Sequence, residues 1–189
     1  MKHPVKLRFV QTEPSHDGSF DKAYVYVCFI EFIDQRTTQF CRLKYIIRAE
    51  IIDEIIAVKF YASRDRKSPF DKYSLAHGQL GVRAVMEIFD NCLKVISEMI
   101  KKFPEYSFVF KGAEGYDPTT HRWEDESENQ RFRIYRSYLS KRIGTKQFEH
   151  FHIPENSIYM LVKKGTEDVE DKQQRLITSL YSRYGLYHF

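Results

Sequence analysis

Arginine and aromatic side chains are interleaved in the segment 129–143, NQRFRIYRSYLSKRI. Guanidinium groups form paired hydrogen bonds to phosphate, and flat rings accept stacked bases, so this mixture suits a nucleic-acid or protein contact. At 100° per residue in a helix, one stripe should face the core. That stripe consists of Phe132, Tyr135, Leu139 and Ile143. The neighbouring stripe, which we expect to lie at the surface, consists of Arg131, Ile134, Tyr138 and Arg142.

A glycine-containing loop precedes this helix and carries the only tryptophan, Trp123. An acidic run follows the tryptophan, where a helix N-terminus favours negative charge, and Asp125 or Ser127 can cap the helix. The alternative interpretation is that Arg131 and Arg142 pair with this acidic loop and form ordinary surface ion pairs. The residues we single out for binding on and before the helix are Trp123, Arg131, Arg136, Tyr138 and Arg142.

A second basic cluster lies in the loop Arg64–Gly78 and consists of Arg64, Arg66, Lys67 and Lys72 with the aromatic residues Phe70 and Tyr73. If this loop folds beside the arginine-rich helix, the two clusters form one binding surface. The alternative is a solvated loop, because surface loops are commonly charged.

His150 and His152 are the metal-ligand candidates, since residues two apart on a strand point to the same face. Glu149 or His121 would complete such a set, but the aromatic neighbours of the two histidines favour a half-buried structural strand. We expect neither a metal nor a cofactor, and a metal-dependent hydrolase that uses His150 and His152 is the third-ranked hypothesis.

Acidic residues and one lysine in the segment 50–59 invite comparison with a nuclease site. A continuous strand would separate Glu50 from Lys59 across its two faces, and no acid-x-Lys motif results. A charged strand edge that discourages aggregation is the interpretation we favour. No nucleophile elbow or phosphate-binding loop occurs either, so we expect a protein that is not an enzyme.

The periodicity predicts an α+β fold in which helices cover a single sheet. An antiparallel meander of three to four strands comes first, followed by a long amphipathic helix and a further strand, helix, hairpin and helix. The predicted strands of the meander are Val5–Val10, Ala23–Phe32, Phe40–Ala49 and Ile51–Ser63. The later predicted elements are a helix over Gln79–Phe103, a strand over Tyr106–Lys111, the helix 129–143, a hairpin of Thr145–Ile153 with Ser157–Lys163, and a helix over Glu167–Tyr184.

Length, charge and composition limit the number of domains and the classes of function that we expect. A length of 189 residues predicts one domain, residues 1–189, and the net charge of +4 is too small to favour nucleic-acid binding over the whole surface. The three cysteines are far apart in the sequence and are typical of buried free thiols. No apolar run long enough for a signal peptide or a membrane span occurs, so we expect a cytoplasmic protein without a membrane partner.

The strand motif F-x-F-x-G at Phe108–Gly112, followed by N-x-R-F-R-x-Y from Asn129 to Tyr135, resembles a pattern in small uncharacterised bacterial α+β proteins. The resemblance covers about the last two-thirds of the chain. It implies a place in accessory bacterial systems of the toxin–antitoxin or anti-phage type, and it implies no catalytic residue.

The sequence therefore predicts a non-enzymatic interaction or regulatory module that binds a protein partner or itself. The alternative is a nucleic-acid-binding protein that uses the basic aromatic helix 129–143, with or without nuclease activity.

Overall fold

The structure is a computed structural model that describes residues 7–68, 79–117 and 120–184 of the chain. The strands in these ranges are β1 (Arg8–Pro14), β2 (Lys22–Ile33), β3 (Phe40–Ile52), β4 (Ile55–Ala62), β5 (Ser107–Lys111), β6 (Tyr116–Asp117), β7 (Arg122–Trp123), β8 (Phe148–Ile153) and β9 (Ile158–Lys163). The α-helices in these ranges are α1 (Val82–Lys102), α2 (Gln130–Arg142) and α3 (Val169–Tyr184). The predicted α+β class is confirmed.

Seven of the described strands form one mixed sheet in the order β1-β2-β3-β4-β5-β9-β8, and β6 and β7 form a separate two-stranded ribbon. Strands β1 to β4 are the predicted antiparallel meander. Strand β5 then pairs with β4 in parallel, and the β8–β9 hairpin extends the sheet beyond β5. The crossover between β4 and β5 contains α1, as a parallel connection requires.

The boundary between β3 and β4 differs from the prediction. β3 continues to Ile52, and the chain reverses at Asp53, whose φ of 49° lies in the left-handed region that tight turns need. The strand that was predicted to begin at Ile51 therefore begins at Ile55. At the N-terminal edge, residues 5 and 6 of the first predicted strand lie outside the described residues.

The helices divide between the two faces of the sheet. The inner face is the one that α1 and α2 cover: Phe89 and Ile96 of α1 and Phe132 of α2 share a buried cluster with Tyr45 of β3 and Phe108 of β5. The outer face carries α3, because the alternate strand residues form a second cluster with buried side chains of that helix. The α3 residues in that second cluster are Leu176, Leu180 and Tyr184. The predicted packing of the long helix on the meander is confirmed.

One part of the sheet extends beyond its neighbours. β1 pairs with β2 only as far as Val27, and β4 pairs with β3 only as far as Tyr45. Residues 29–33 and 40–44 therefore pair only with each other among the described strands, and we call this two-stranded extension the β2–β3 arm.

Candidate functional site: helix α2, its flanking ribbon and an apolar groove

Helix α2 begins at a buried junction between the two sequence motifs. The Asn129 side chain accepts a hydrogen bond from the Phe132 N–H at 3.0 Å and donates one to the Gly112 carbonyl at 2.6 Å. Ser157, at a φ of 52°, accepts a hydrogen bond from the Asn129 N–H at 3.0 Å through its hydroxyl. The prediction of Asp125 or Ser127 as the cap was wrong, because Asn129 caps the helix.

The core-facing stripe of α2 lies where the sequence predicts it. Phe132, Tyr135 and Leu139 are buried against the inner face, and Ile143 packs against the same cluster. Arg131 differs from the prediction, since it is only 4% exposed and its guanidinium lies 4.5 Å from the Phe60 ring centroid. Its burial removes Arg131 from any surface that a partner can reach.

Two other arginines of α2 are engaged by the acidic loop. Arg136 pairs with Glu128 at 2.6 Å, and Arg133 approaches Glu124 at 3.7 Å. Glu124 also accepts a hydrogen bond from the Gln130 N–H at the helix start. The acidic loop thus forms ion pairs with Arg133 and Arg136.

Tyr138 and Arg142 lie toward the C-terminal end of α2. The Tyr138 hydroxyl donates a hydrogen bond to Asp90 of α1, and burial together with that carboxylate raises the pKa of the tyrosine to about 12. Arg142 is exposed and lies 5.2 Å from the Tyr138 ring centroid. Tyr138 therefore joins two helices, while Arg142 is available at the surface.

The described residues of the second basic cluster lie in different surroundings. Arg64 pairs with Asp65 at 3.2 Å and donates to Gln79 at 2.8 Å. Arg66 lines a cavity of about 610 Å³, and Arg48, a residue of the outer face, lines the same cavity. Because α2 lies on the inner face, Arg66 and α2 lie on opposite sides of the sheet. Lys67 is exposed, and residues 69–78 of that loop lie outside the described residues.

The Trp123 ribbon, formed by β6 and β7, lies at the N-terminal end of α2. Trp123 pairs with Tyr116 across the ribbon and is 46% exposed. The backbone N–H of Glu124 donates to the Gly115 carbonyl at 2.7 Å, which fixes the ribbon beside the acidic run. An exposed ring is thus followed at once by the carboxylates of Glu124, Asp125, Glu126 and Glu128.

An apolar groove lies at the opposite end of α2, and the sequence analysis did not find it. Its walls and floor come from Leu93, Ile96 and Ile100 of α1, together with Ile143 and Phe148, and its volume is about 490 Å³. Arg142 and Lys146 stand at its mouth, and no carboxylate lines it among the described residues. The signal in the sequence was Leu93, which adds to the apolar surface of the predicted helix over Gln79–Phe103.

The charged residues of the segment 50–59 are not separated as predicted. Because the chain turns at Asp53, Glu50 and Lys59 share the outer face and pair at 3.0 Å. Arg48 donates to Glu50 at 2.8 Å, and the Tyr184 hydroxyl of α3 donates to it at 2.5 Å. Arg48 also pairs with Glu13 of β1. This charged cluster joins β1 and α3 to the centre of the sheet.

The two histidines lie on one face of β8, as predicted. His150 Nδ1 lies 2.5 Å from the Tyr159 hydroxyl, and the His152 ring lies 4.9 Å from the Tyr159 ring. Burial lowers the pKa of both histidines. Glu149 alternates to the other face and pairs with Lys164 at 2.7 Å, and no group of three metal-ligating side chains converges in the described parts of the chain.

The cysteines agree with the prediction of buried thiols at two positions. Cys28 and Cys92 are buried free thiols, and burial raises the pKa of Cys28 to about 12. Cys41 is also free, but it is only half-buried. Burial disfavours the reactive thiolate form of Cys28 and Cys92.

No protein-family model, curated protein or solved structure matches this chain. Across the residues that the structure describes, none of the helices combines the length and apolar character that a membrane span requires.

Proposed function

We propose that this chain is a non-enzymatic interaction module that associates with a second copy of itself. In this association the Trp123 ribbon of each copy enters the apolar groove of the other copy. The observation that carries the proposal is the complementarity of the two ends of α2: one end presents an exposed ring with carboxylates, and the other presents an apolar groove with cations at its mouth.

Geometry favours a second copy over the chain's own ribbon. The 13 residues of α2 span roughly 20 Å at the helical rise of about 1.5 Å per residue, and they separate the ribbon from the groove of the same chain. When two α2 helices lie antiparallel about a twofold axis, each ribbon meets the partner's groove. Such a contact closes on itself and yields a dimer instead of an open chain.

Charge supports the same arrangement. Asp125 and Glu126 are exposed beside Trp123, and Arg142 and Lys146 are exposed at the groove. Complementary charges guide encounter and fix the register of a contact. Arg136, which lies at the middle of α2, is already paired with Glu128 at 2.6 Å, so repulsion between the two Arg136 side chains is reduced.

The nucleic-acid alternative on α2 has less support. It needs several arginines that are free to meet phosphate, whereas Arg131 is buried and Arg133 and Arg136 interact with carboxylates of the preceding loop. The place in accessory bacterial systems that the motif resemblance implies stays a prediction.

Sedimentation velocity over a range of micromolar concentrations tests the proposal. We expect a species of twice the chain mass of 22.6 kDa that dissociates on dilution. Trp123→Ala should weaken the dimer by about 2 kcal/mol, or roughly thirtyfold in Kd, because buried tryptophans dominate such contacts.

Phe40→Ala is the matched control, since it removes an even more exposed aromatic ring from the β2–β3 arm. It should leave the dimer unchanged. A strict monomer at all concentrations, or a Trp123→Ala variant that dimerises as tightly as the parent chain, would overturn the proposal.

A further inference from the structure

The outer face of the β2–β3 arm carries an exposed set of apolar and basic side chains. Phe29, Ile33 and Phe40 are 37%, 50% and 67% exposed. In the β2–β3 register Ile33 lies opposite Phe40, Glu31 opposite Arg42, and Phe29 opposite Lys44. Residues opposite each other in an antiparallel pair point to the same face, so all six side chains share one surface.

The outer face of the arm is exposed, while the opposite face packs against the core. Ile30 is fully buried in the inner cluster, and Phe32 and Leu43 pack against that cluster. The turn at the tip is held by Asp34, whose carboxylate accepts hydrogen bonds from the N–H groups of Arg36 and Thr37 at 2.7 and 3.3 Å. The arm is therefore a fixed platform, and its rings are displayed without a packing role on the outer side.

Positive charge prevails on this platform. Arg42 and Lys44 stand on it and Arg36 is exposed at its tip, against the single exposed carboxylate of Glu31. The Glu31–Arg42 separation is 3.6 Å and both side chains are more than 40% exposed, so water screens that pair. The Arg42 guanidinium lies 4.3 Å from the Phe29 ring centroid, within the range of a cation–π interaction.

We propose that the outer face of the β2–β3 arm binds single-stranded nucleic acid. A base stacks on the exposed Phe40 ring, and Arg42 and Lys44 contact the adjacent phosphates. Phe29 acts as a positioning residue, because its ring holds the guanidinium of Arg42. Exposed rings on a sheet suit unpaired bases, since every base offers a flat face, and cations beside the rings follow the backbone.

Fluorescence anisotropy with the full chain tests this inference. The probes are a labelled oligouridylate and a labelled oligodeoxythymidylate of about 15 nucleotides, each titrated at about 50 mM and about 200 mM salt. We expect binding of at least one probe that weakens as salt rises. Phe40→Ala should weaken binding by about fivefold or more, and Lys44→Ala should reduce the dependence of log Kd on log salt by about 0.7.

Two control variants separate this site from the α2 surface. Trp123→Ala removes an exposed ring, and Arg142→Ala removes an exposed cation, both away from the arm. Below the concentration at which the parent chain dimerises, neither should change oligonucleotide affinity. The inference is overturned if neither probe binds, if Phe40→Ala and Lys44→Ala bind like the parent chain, or if Arg142→Ala abolishes binding. It is also overturned if Phe40→Ala dissociates a dimer, because the arm would then be a contact between copies. Failure of the proposed dimer would leave this result unaffected.

Discussion

Glu50 is the ionisable residue on which the charged cluster of the outer face depends. Burial by itself raises the pKa of its carboxyl group. The attraction of Lys59 and the hydrogen bonds from Tyr184 and Arg48 outweigh that effect and hold the pKa below its ordinary value of 4.5. A paired buried carboxylate of this kind is costly to disrupt, because the remaining partner is left as an unpaired charge.

Glu50→Gln should therefore lower the free energy of unfolding at neutral pH by about 3 kcal/mol. Chemical denaturation followed by circular dichroism measures this change. Glu149→Gln is the matched control, since it breaks the exposed ion pair with Lys164 and should have little effect. Equal effects of the two substitutions would contradict the structural role of Glu50.

The pH dependence of stability follows from the same residue. The folded state binds the Glu50 proton less tightly than the unfolded chain does, so the stabilisation is fully present above about pH 4.5 and is lost as the pH falls. Glu13, whose pKa is also lowered, contributes in the same direction. Unfolding measured from pH 7 to pH 3 should therefore show a smaller loss of stability for Glu50→Gln than for the parent chain.

At the scale of elements, the packing at the junction of β5 with α2 explains several residues of the two sequence motifs. Gly112 ends the F-x-F-x-G strand because no larger residue fits there: a Cβ at this position would lie 2.0 Å from Asn129 Oδ1 and 2.9 Å from the Phe132 nitrogen. Asn129, Phe132 and Tyr135 of the second motif are buried at or beside that junction. These motif residues stabilise the junction, and the binding surfaces that we propose lie elsewhere.

Gly112→Ala should lower the free energy of unfolding by at least about 2 kcal/mol, because the added methyl group displaces the Asn129 cap from α2. Gly165→Ala is the matched control, since no atom lies within 4 Å of its added Cβ. It should stay within about 0.5 kcal/mol of the parent chain. Thermal unfolding of the two variants side by side measures the difference, and equal stability would contradict the close packing at the junction.

The periodicity of apolar residues predicted the helices and strands that bury one regular face. The helix over Gln79–Phe103 corresponds to α1 (Val82–Lys102), and Phe108 and Phe110 share the inner face with Tyr106 as their alternation indicates. The parallel pairing of β4 with β5 joins residues about 50 positions apart, and no short-range pattern specifies such a partner. The burial of Arg131 escaped prediction for a related reason, because it depends on Phe60 of a distant strand.

At the scale of the whole molecule, the candidate binding surfaces lie on different faces of the sheet. The Trp123 ribbon and the apolar groove flank α2 on the inner face, and the exposed rings of the arm lie on the outer face. The two surfaces share no residue, so a dimer formed through α2 leaves both arms open. The net charge of +4 is small, and each surface depends on local clusters of charge rather than on the overall field.

Two complementary variants, one altered in the ribbon and the other in the groove, test self-association most directly. Trp123→Ala removes the anchor from one copy, and the double substitution Arg142→Glu with Lys146→Glu reverses the charge at the groove of another. Each variant alone should sediment as a monomer at a concentration where the parent chain is a dimer. The double substitution Arg42→Glu with Lys44→Glu, the same charge change on the arm, is the control and should dimerise like the parent chain.

An equimolar mixture of the two variants is the decisive sample, because one intact ribbon then meets one intact groove. Sedimentation velocity of that mixture should show a species of twice the chain mass, weaker than the parent dimer and absent from either variant alone. A mixture that remains monomeric, although both variants are folded and the parent chain dimerises, would contradict the proposed exchange of Trp123 between two copies.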